Sequence, residues 1–365
     1  MPKKVLMVVG TRPNLIKITR MEEVMARYGD AFDYRLCHTG QHYDDRLSKV
    51  FFEQLELRQP DYYLGVSESH PARLIARIVA ELTTILTDWQ PDWVIAPGDV
   101  NSTLGAALAA NKCGVKLAHL ESGLRSFDRS MPEEHNRVMT DALADLHWVT
   151  EPSGQQHLST AGVEASGVHF VGNTMIDTLV KFDVQIEAST ILQKLQLTAG
   201  DYVLMTLHRP GNVDTKVALA GLLDLVDHLT EKRPVVFPIH PRTRQRLQAF
   251  GLEPRVVNNS RLIETPPMDY FSFQKLVAKA HFVFTDSGGI QEETTFRRVP
   301  CLTFRPNTER PITVTVGTNT LVDSLEEVVR LAADIEAGTY KKGAIPELWD
   351  GKATDRLVEV LHQMP

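Results

Sequence analysis

Asp99, Glu121 and Glu133 stand out because the first two each follow an apolar run and all three are acids beside a glycine or proline turn: Pro97-Gly98-Asp99, Glu121-Ser122-Gly123 and Met131-Pro132-Glu133, with Arg137 one helical turn beyond the last. Carboxylates gathered on one edge push one another's protonation apart, so one stays charged as a base while another keeps a proton as an acid. Two plainer readings fit the same residues. Asp99 can cap a helix starting at Asn101 or Ser102, and Glu133 can sit in a solvated loop as a capping group after Pro132. A second stretch, Ala280 to Thr294, reads AHFVFTDSGGIQEET. Here a short strand meets a helix at Gly288-Gly289, where close backbone approach and unpaired first-turn N–H groups suit an anion, and a phosphate is expected. Ser287 adds a hydroxyl, and Glu292 and Glu293 lie one turn in, placed to accept from ribose hydroxyls. An ordinary capped corner with acids in its first turn is the alternative.

Both stretches need elements to position them, and the chain provides these by alternation. Val5 to Val9, Asp33 to Cys37, Trp93 to Ala96 and Leu117 to His119 read as strands; Leu15 to Tyr28, Leu47 to Leu55, Arg73 to Asp88 and Ser102 to Cys113 read as helices between them. The pattern predicts a parallel sheet covered on both faces. A second series is expected from Val168 to Val171 through Tyr202 to Leu207, Val235 to Ile239, His281 to Thr285 and Cys301 to Phe304. The sheet is built twice, giving domains over 1–171 and 172–350 and a terminal helix over 351–365 that can return to the first domain. Ligands of such sheets sit at the carboxyl ends of the strands. That criterion selects Arg12 and Lys17 after the first strand, His208 after Leu207, His240 after Ile239, and Arg310 after the final strand, whose fork suits phosphate. Phe271 and Phe273 precede the glycine corner, where a ring can stack on a base or pack in the core.

Composition bounds what the chain can be. With 365 residues it exceeds one ordinary core. A formal net charge of −7 with interspersed signs argues against a nucleic-acid or polybasic membrane surface. Cys37, Cys113 and Cys301 are far apart and have no CxxC pair, so neither a disulfide framework nor a zinc site is expected. No run reaches membrane-spanning length, and the N-terminus enters a strand directly after Lys3-Lys4. A soluble, cytoplasmic protein is expected.

These motifs together carry a resemblance. GTRPNLIKI (10–18), TGQHYD (39–44), GDVNST (98–103), HLESGLRS (119–126), MPEEHNR (131–137), LHRPGN (207–212), IHPRT (239–243), TDSGGIQEE (285–293) and TERP (308–311) run in order over nearly the whole chain. The set resembles the UDP-N-acetylglucosamine 2-epimerases of the non-hydrolysing bacterial and archaeal kind. The resemblance implies a GT-B architecture of two Rossmann-like domains with a UDP-sugar in the cleft between them, and a homodimer. It puts the family's catalytic carboxylates on Asp99, Glu121 and Glu133 and its histidine on His208. Arg12 would lie near the diphosphate, Ser287 and Gly288 on phosphate beside Gly289, Glu292 on ribose and Phe273 against uracil, with Lys17, Arg137, His240 and Arg310 as further contacts. Three positions depart from the commonest pattern: Asn14 stands where glutamate is usual, Ser122 replaces alanine, and Pro210-Gly211 interrupts an HRREN-like run. Gln41 and His42 match part of the allosteric region of some members, but the later arginine is not placed, and allostery is not predicted.

The expected chemistry starts at C1. The C2 hydrogen has no neighbouring carbonyl, so stretching the C1–O bond to UDP must acidify it; elimination then yields 2-acetamidoglucal, and re-addition of UDP with protonation on the other face gives the manno epimer. Two faces require at least two proton carriers. Neither metal nor nicotinamide is required, and no cofactor is expected. Competing expectations are an epimerase of a related UDP-acetamido sugar, a hydrolysing 2-epimerase releasing ManNAc and UDP, a GT-B glycosyltransferase, and a non-catalytic UDP-sugar sensor.

Overall fold

The computed structural model describes residues 1–40 and 51–365; Gln41, His42 and the beginning of the helix expected over Leu47 to Leu55 lie outside the described residues. The chain divides into two units, one formed by residues 1–181 with 347–365, the other by 182–346.

Among the described residues the first unit holds seven strands: β1 (Lys3–Val9), β2 (Phe32–His38), β3 (Tyr62–Tyr63), β4 (Trp93–Pro97), β5 (Lys116–Leu120), β6 (Leu146–Val149) and β7 (Val168–Phe170). They pair in the order β3-β2-β1-β4-β5-β6-β7, parallel throughout. Central strands buried on both faces need near-continuous apolar runs, and Val5 to Val9 is such a run, every residue buried. The run Val168–Phe170, expected to open the second series, instead closes the first sheet against β6, a strand too short for its pattern to register. The helix expected over Leu15 to Tyr28 is two pieces, α1 (Arg12–Lys17) and a second turn over Met21–Ala26. Between them the Thr19 hydroxyl donates to Leu15 O (3.1 Å), competing for a carbonyl of the helical ladder. Next, α2 (Pro71–Trp89) buries Leu74, Ile78, Leu82, Leu86 and Trp89, one stripe at helical spacing, against α3 (Asn101–Cys113) and the sheet. After β5 comes α4 (Pro132–Leu143).

The second unit has six described strands, β8 (Val203–Thr206), β9 (Val235–Pro238), β10 (Leu262–Thr265), β11 (Phe282–Thr285), β12 (Cys301–Phe304) and β13 (Asn319–Val322), ordered β10-β9-β8-β11-β12-β13 and again parallel. Alternate residues feed opposite cores: Val203, Met205, Phe282 and Phe284 pack on one face, Tyr202, Leu204, Val283 and Cys301 on the other. Helices α5 (Tyr270–Lys279) and α6 (Gly288–Arg297) flank β11.

Residues 347–365 pack within the first unit. There α7 (Ala353–Gln363) receives a hydrogen bond from Lys3 Nζ at Leu361 O (2.7 Å). Asp177 accepts from the Ala353 and Thr354 N–H groups at 3.0 and 2.6 Å, holding the helix's first turn. In each sheet the strand order reverses at one point, between β1 and β4 and between β8 and β11. Doubly wound sheets open a crevice at that point, outside the strands' carboxyl ends.

Candidate active-site residues

At the β1/β4 reversal the chain turns sharply. Gly98 follows β4 with φ +71°, and a Cβ there would stand 2.9 Å from Lys17 Nζ and 3.5 Å from Glu121 Oε2. Glycine is required on both counts. Asn14 fastens the neighbouring turn, its Oδ1 accepting from Gly10 N and Thr11 N (both 3.2 Å) and its Nδ2 donating to Pro97 O (3.1 Å). Lys17, read from the sequence as a cation above the sheet edge, is buried and pairs with the carboxylate of Glu121, itself 4% exposed. Glu121 also takes a left-handed backbone, φ +70°. For a residue with a Cβ this costs about 1–2 kcal/mol, and such strain persists where surrounding structure over-determines it. Its Oε1 is buried and accepts no hydrogen bond among the described residues.

The loop alternative for Glu133 does not hold: it lies half-buried in the first turn of α4. The same helix reaches Asp99 twice, through Arg137 Nη2 to Asp99 Oδ2 (2.5 Å) and Asn136 Nδ2 to Asp99 O (2.9 Å). Arg137 also pairs with Glu134 (2.7 Å). Burial opposes ionisation of Glu134, yet hydrogen bonds from Ser126 and the Phe127 N–H, with the Arg137 charge, outweigh it and hold the carboxyl below its usual range. Arg12, the first residue of α1, lays its guanidinium over the Phe51 ring, 5.1 Å from the centroid.

In the second unit the β8/β11 reversal is organised by Asp286, which the sequence reading passed over although it is a charged residue inside the glycine-corner motif. Fully buried, it accepts from His208 Nδ1 (2.8 Å), His208 N (2.9 Å), Arg209 N (2.8 Å) and Asn212 Nδ2 (3.1 Å). Burial works against its charge, but the hydrogen bonds and charge of His208 with the two N–H donors keep the carboxyl below its usual range. The bond to Nδ1 fixes the ring and leaves Nε2 directed elsewhere. His240, an N-cap whose Nδ1 accepts from Arg242 N, tilts its ring against His208 with centroids 5.3 Å apart.

Ser287 occupies the N-cap of α6, but its hydroxyl makes no capping bond. The first-turn donors of α6 are thus not capped by that side chain, as an anion site requires. Arg310 brings positive charge to this corner: a Cβ on Gly288 would stand 2.7 Å from Glu309 Oε1 and 2.8 Å from Arg310 Nη1, so the glycine leaves room for this ion pair beside Gly288-Gly289. Arg310 Nε lies 2.8 Å from Glu292 Oε2, its Nη1 pairs with Glu309, and Glu309 pairs with Arg305 (2.8 Å). Phe273 is half-buried on α5, packed against the core below.

Glu293 behaves unlike Glu292. Burial, aided by the charge of Glu292 and opposed by a hydrogen bond from Gln274, pushes its carboxyl up to about 8. The folded protein therefore holds this proton up to about pH 8 while the unfolded chain releases it near 4.5. Stability from this group is complete below the lower value and is lost as pH rises toward the upper one, at about 1.4 kcal/mol per pH unit. Glu293→Gln, permanently neutral, is expected to flatten the decline of the melting temperature between about pH 5 and pH 8; an unchanged slope would mean the carboxyl is already ionised in the fold.

The sequence model of the UDP-N-acetylglucosamine 2-epimerase family matches residues 26–362. A UDP-N-acetylglucosamine 2-epimerase of Methanocaldococcus jannaschii is 35% identical over 363 residues, 98% of either chain. A UDP-2,3-diacetamido-2,3-dideoxy-D-glucuronate 2-epimerase of Pseudomonas aeruginosa is 33% identical over 99% of this chain and all of its own. The crystal structure of the M. jannaschii protein in complex with UDP-GlcNAc and UDP superposes with a TM-score of 0.89, covering 98% of this chain and 99% of that one at 35% identity. The two parallel sheets thus match a GT-B-like arrangement.

Proposed function

The chain belongs to the UDP-N-acetylglucosamine 2-epimerase family, and from that premise we propose that it interconverts UDP-GlcNAc and UDP-ManNAc without net hydrolysis. The observation that carries the reading is Glu121: a strained, buried carboxylate at a sheet reversal, paired with Lys17 and keeping one oxygen without a donor among the described residues.

In this reading the second unit grips the nucleotide. The first-turn N–H groups at Gly288 and Gly289, the Ser287 hydroxyl and the Arg310 guanidinium meet the diphosphate, Glu292 the ribose, and Phe273 the uracil, with His208 and His240 beside the leaving group. Stabilising that charge as the C1–O bond lengthens leaves C1 electron-poor and acidifies the hydrogen on C2. A carboxylate then takes the C2 proton, the C–H electrons form the C1=C2 double bond, and UDP departs with the C1–O pair. In the reverse addition UDP oxygen bonds C1 while a carboxylic acid delivers a proton to the opposite face of C2. Asp99, Glu121 and Glu133 are the proposed carriers. Arg137 holds the Asp99 carboxylate in place through its 2.5 Å bond to Oδ2, and Arg12 assists the diphosphate.

Incubation with UDP-GlcNAc in D₂O without acceptor is expected to place one deuterium at C2 of both epimers, with UDP-sugar conserved. Deuterium-free sugar would sink the epimerase reading in favour of a transferase or a sensor, and accumulation of free ManNAc with UDP would identify the hydrolysing reaction. The likeness to the P. aeruginosa diacetamido-glucuronate epimerase favours a second reading, a related UDP-acetamido sugar. The same assay over a panel of such sugars, ranked by kcat/KM, decides between them.

A further inference from the structure

His119 has no role in the reaction as written, yet no part of it is exposed. It lies in β5, in register with Ala96 of β4 and His147 of β6. Its Nε2 is 2.7 Å from Gly98 O. A carbonyl only accepts, so Nε2 carries a proton. Its Nδ1 is 2.6 Å from Asp141 Oδ1, close enough to require a proton between them. Asp141, on α4, also accepts from Ser122 Oγ (2.5 Å) and Gly123 N (3.1 Å) and pairs with Arg125 (2.6 Å). Burial opposes its charge, but His119, Arg125 and Ser122 hold the carboxyl far below the usual range.

These bonds join three pieces of chain. Gly98 is held on both sides by β5, its N–H donating to Leu120 O (2.8 Å) and its carbonyl accepting from His119, and Asp99 is the next residue. The Ser122-Gly123 peptide held by Asp141 directly follows Glu121. Asp141 itself lies on the helix whose first turn carries Glu133. Filling the sheet would need only an apolar side chain, without the cost of burying charge. A histidine–carboxylate couple supplies direction instead: two bonds at a fixed angle, one ending on the peptide that carries a candidate acid. We infer that His119 and Asp141 are positioning residues, acting through the Gly98 carbonyl and the Ser122-Gly123 backbone to set where Asp99 and Glu121 stand relative to α4 and Glu133. The inference rests on the epimerase reading above.

The test compares wild type with His119→Leu, His119→Gln and Asp141→Asn, measuring kcat and KM with UDP-GlcNAc, UDP affinity by calorimetry, thermal melting, and the kinetic isotope effect with C2-deuterated UDP-GlcNAc. Displacing the acids by a fraction of an ångström to 1 Å should lower kcat about 100-fold in His119→Leu. KM and UDP affinity should change little, and the isotope effect should rise as C2–H cleavage becomes more rate-limiting. His119→Gln, which keeps one donor, should recover part of the loss. Should His119→Leu fail to fold, Asp141→Asn preserves the shape of the site and carries the same comparison. A rate loss that merely follows the folded fraction, with an unchanged isotope effect, overturns the inference. So does a folded His119→Leu with wild-type kcat. A wild type that exchanges no C2 hydrogen overturns the epimerase reading, and the positioning role with it; a wild type that exchanges beside indifferent variants overturns the positioning role alone.

Discussion

Glu121→Gln should slow C2 deuterium exchange by about 10²- to 10⁴-fold, the usual contribution of a positioned proton-transfer group. The amide fits the same left-handed turn and the same burial, so the loss isolates the proton from the shape. Stability is expected to fall as well. Lys17 is buried, and breaking a buried pair by removing one partner costs about 3–5 kcal/mol because it leaves an uncompensated charge. A double variant with Lys17→Met separates the two effects. Chemical denaturation should show much of the stability restored, since no lone cation remains, while exchange stays low. If exchange returned together with stability, Glu121 would be a structural partner of Lys17 and another acid would have to be the base.

Arg310→Met carries the second large effect, in the other unit. Glu292 is 1% exposed and faces the Arg310 guanidinium, whereas Glu309 retains Arg305 when Arg310 is removed. One buried carboxylate is therefore left without this cation, with an expected loss of about 3–5 kcal/mol in urea unfolding. The affinity for UDP should drop about 10- to 100-fold, the equivalent of one charge-assisted hydrogen bond of about 1.5–3 kcal/mol. Arg310→Lys should recover charge but not the fork, and so rescue part of the affinity. Unchanged UDP affinity in a folded Arg310→Met would leave the ion pair as a structural feature and remove Arg310 from the phosphate site.

How far the site was legible from sequence varies with the range of the interaction. The glycine corner was readable because strand, turn and helix start are adjacent along the chain. Its consequence for Gly288 was not, since the guanidinium it admits comes from residue 310. The terminal-strand assignments show a similar limit. Val168–Phe170 has the composition of a strand in either series, and only its pairing with Leu146–Val149 assigns it to the first sheet. Glu292 and Glu293 are neighbours of one type, and the sequence offers no reason to treat them differently. In the fold one faces a guanidinium while the other faces an amide in a dry interior, which pushes its carboxyl up to about 8.

By itself the sequence determined the α/β alternation, the placing of acids and histidines at strand ends, and membership of a family, because periodicity and motif order are properties of adjacent residues. Tertiary structure alone decided which of those groups is paired, strained or held neutral. Lys17 and Glu121 are 104 residues apart, and His208 and Asp286 are 78 apart. Ionisation and orientation depend on what lies within a few ångströms in a medium that excludes water, and the neighbours that set them are chosen by the order of strands in the sheet rather than by their order along the chain.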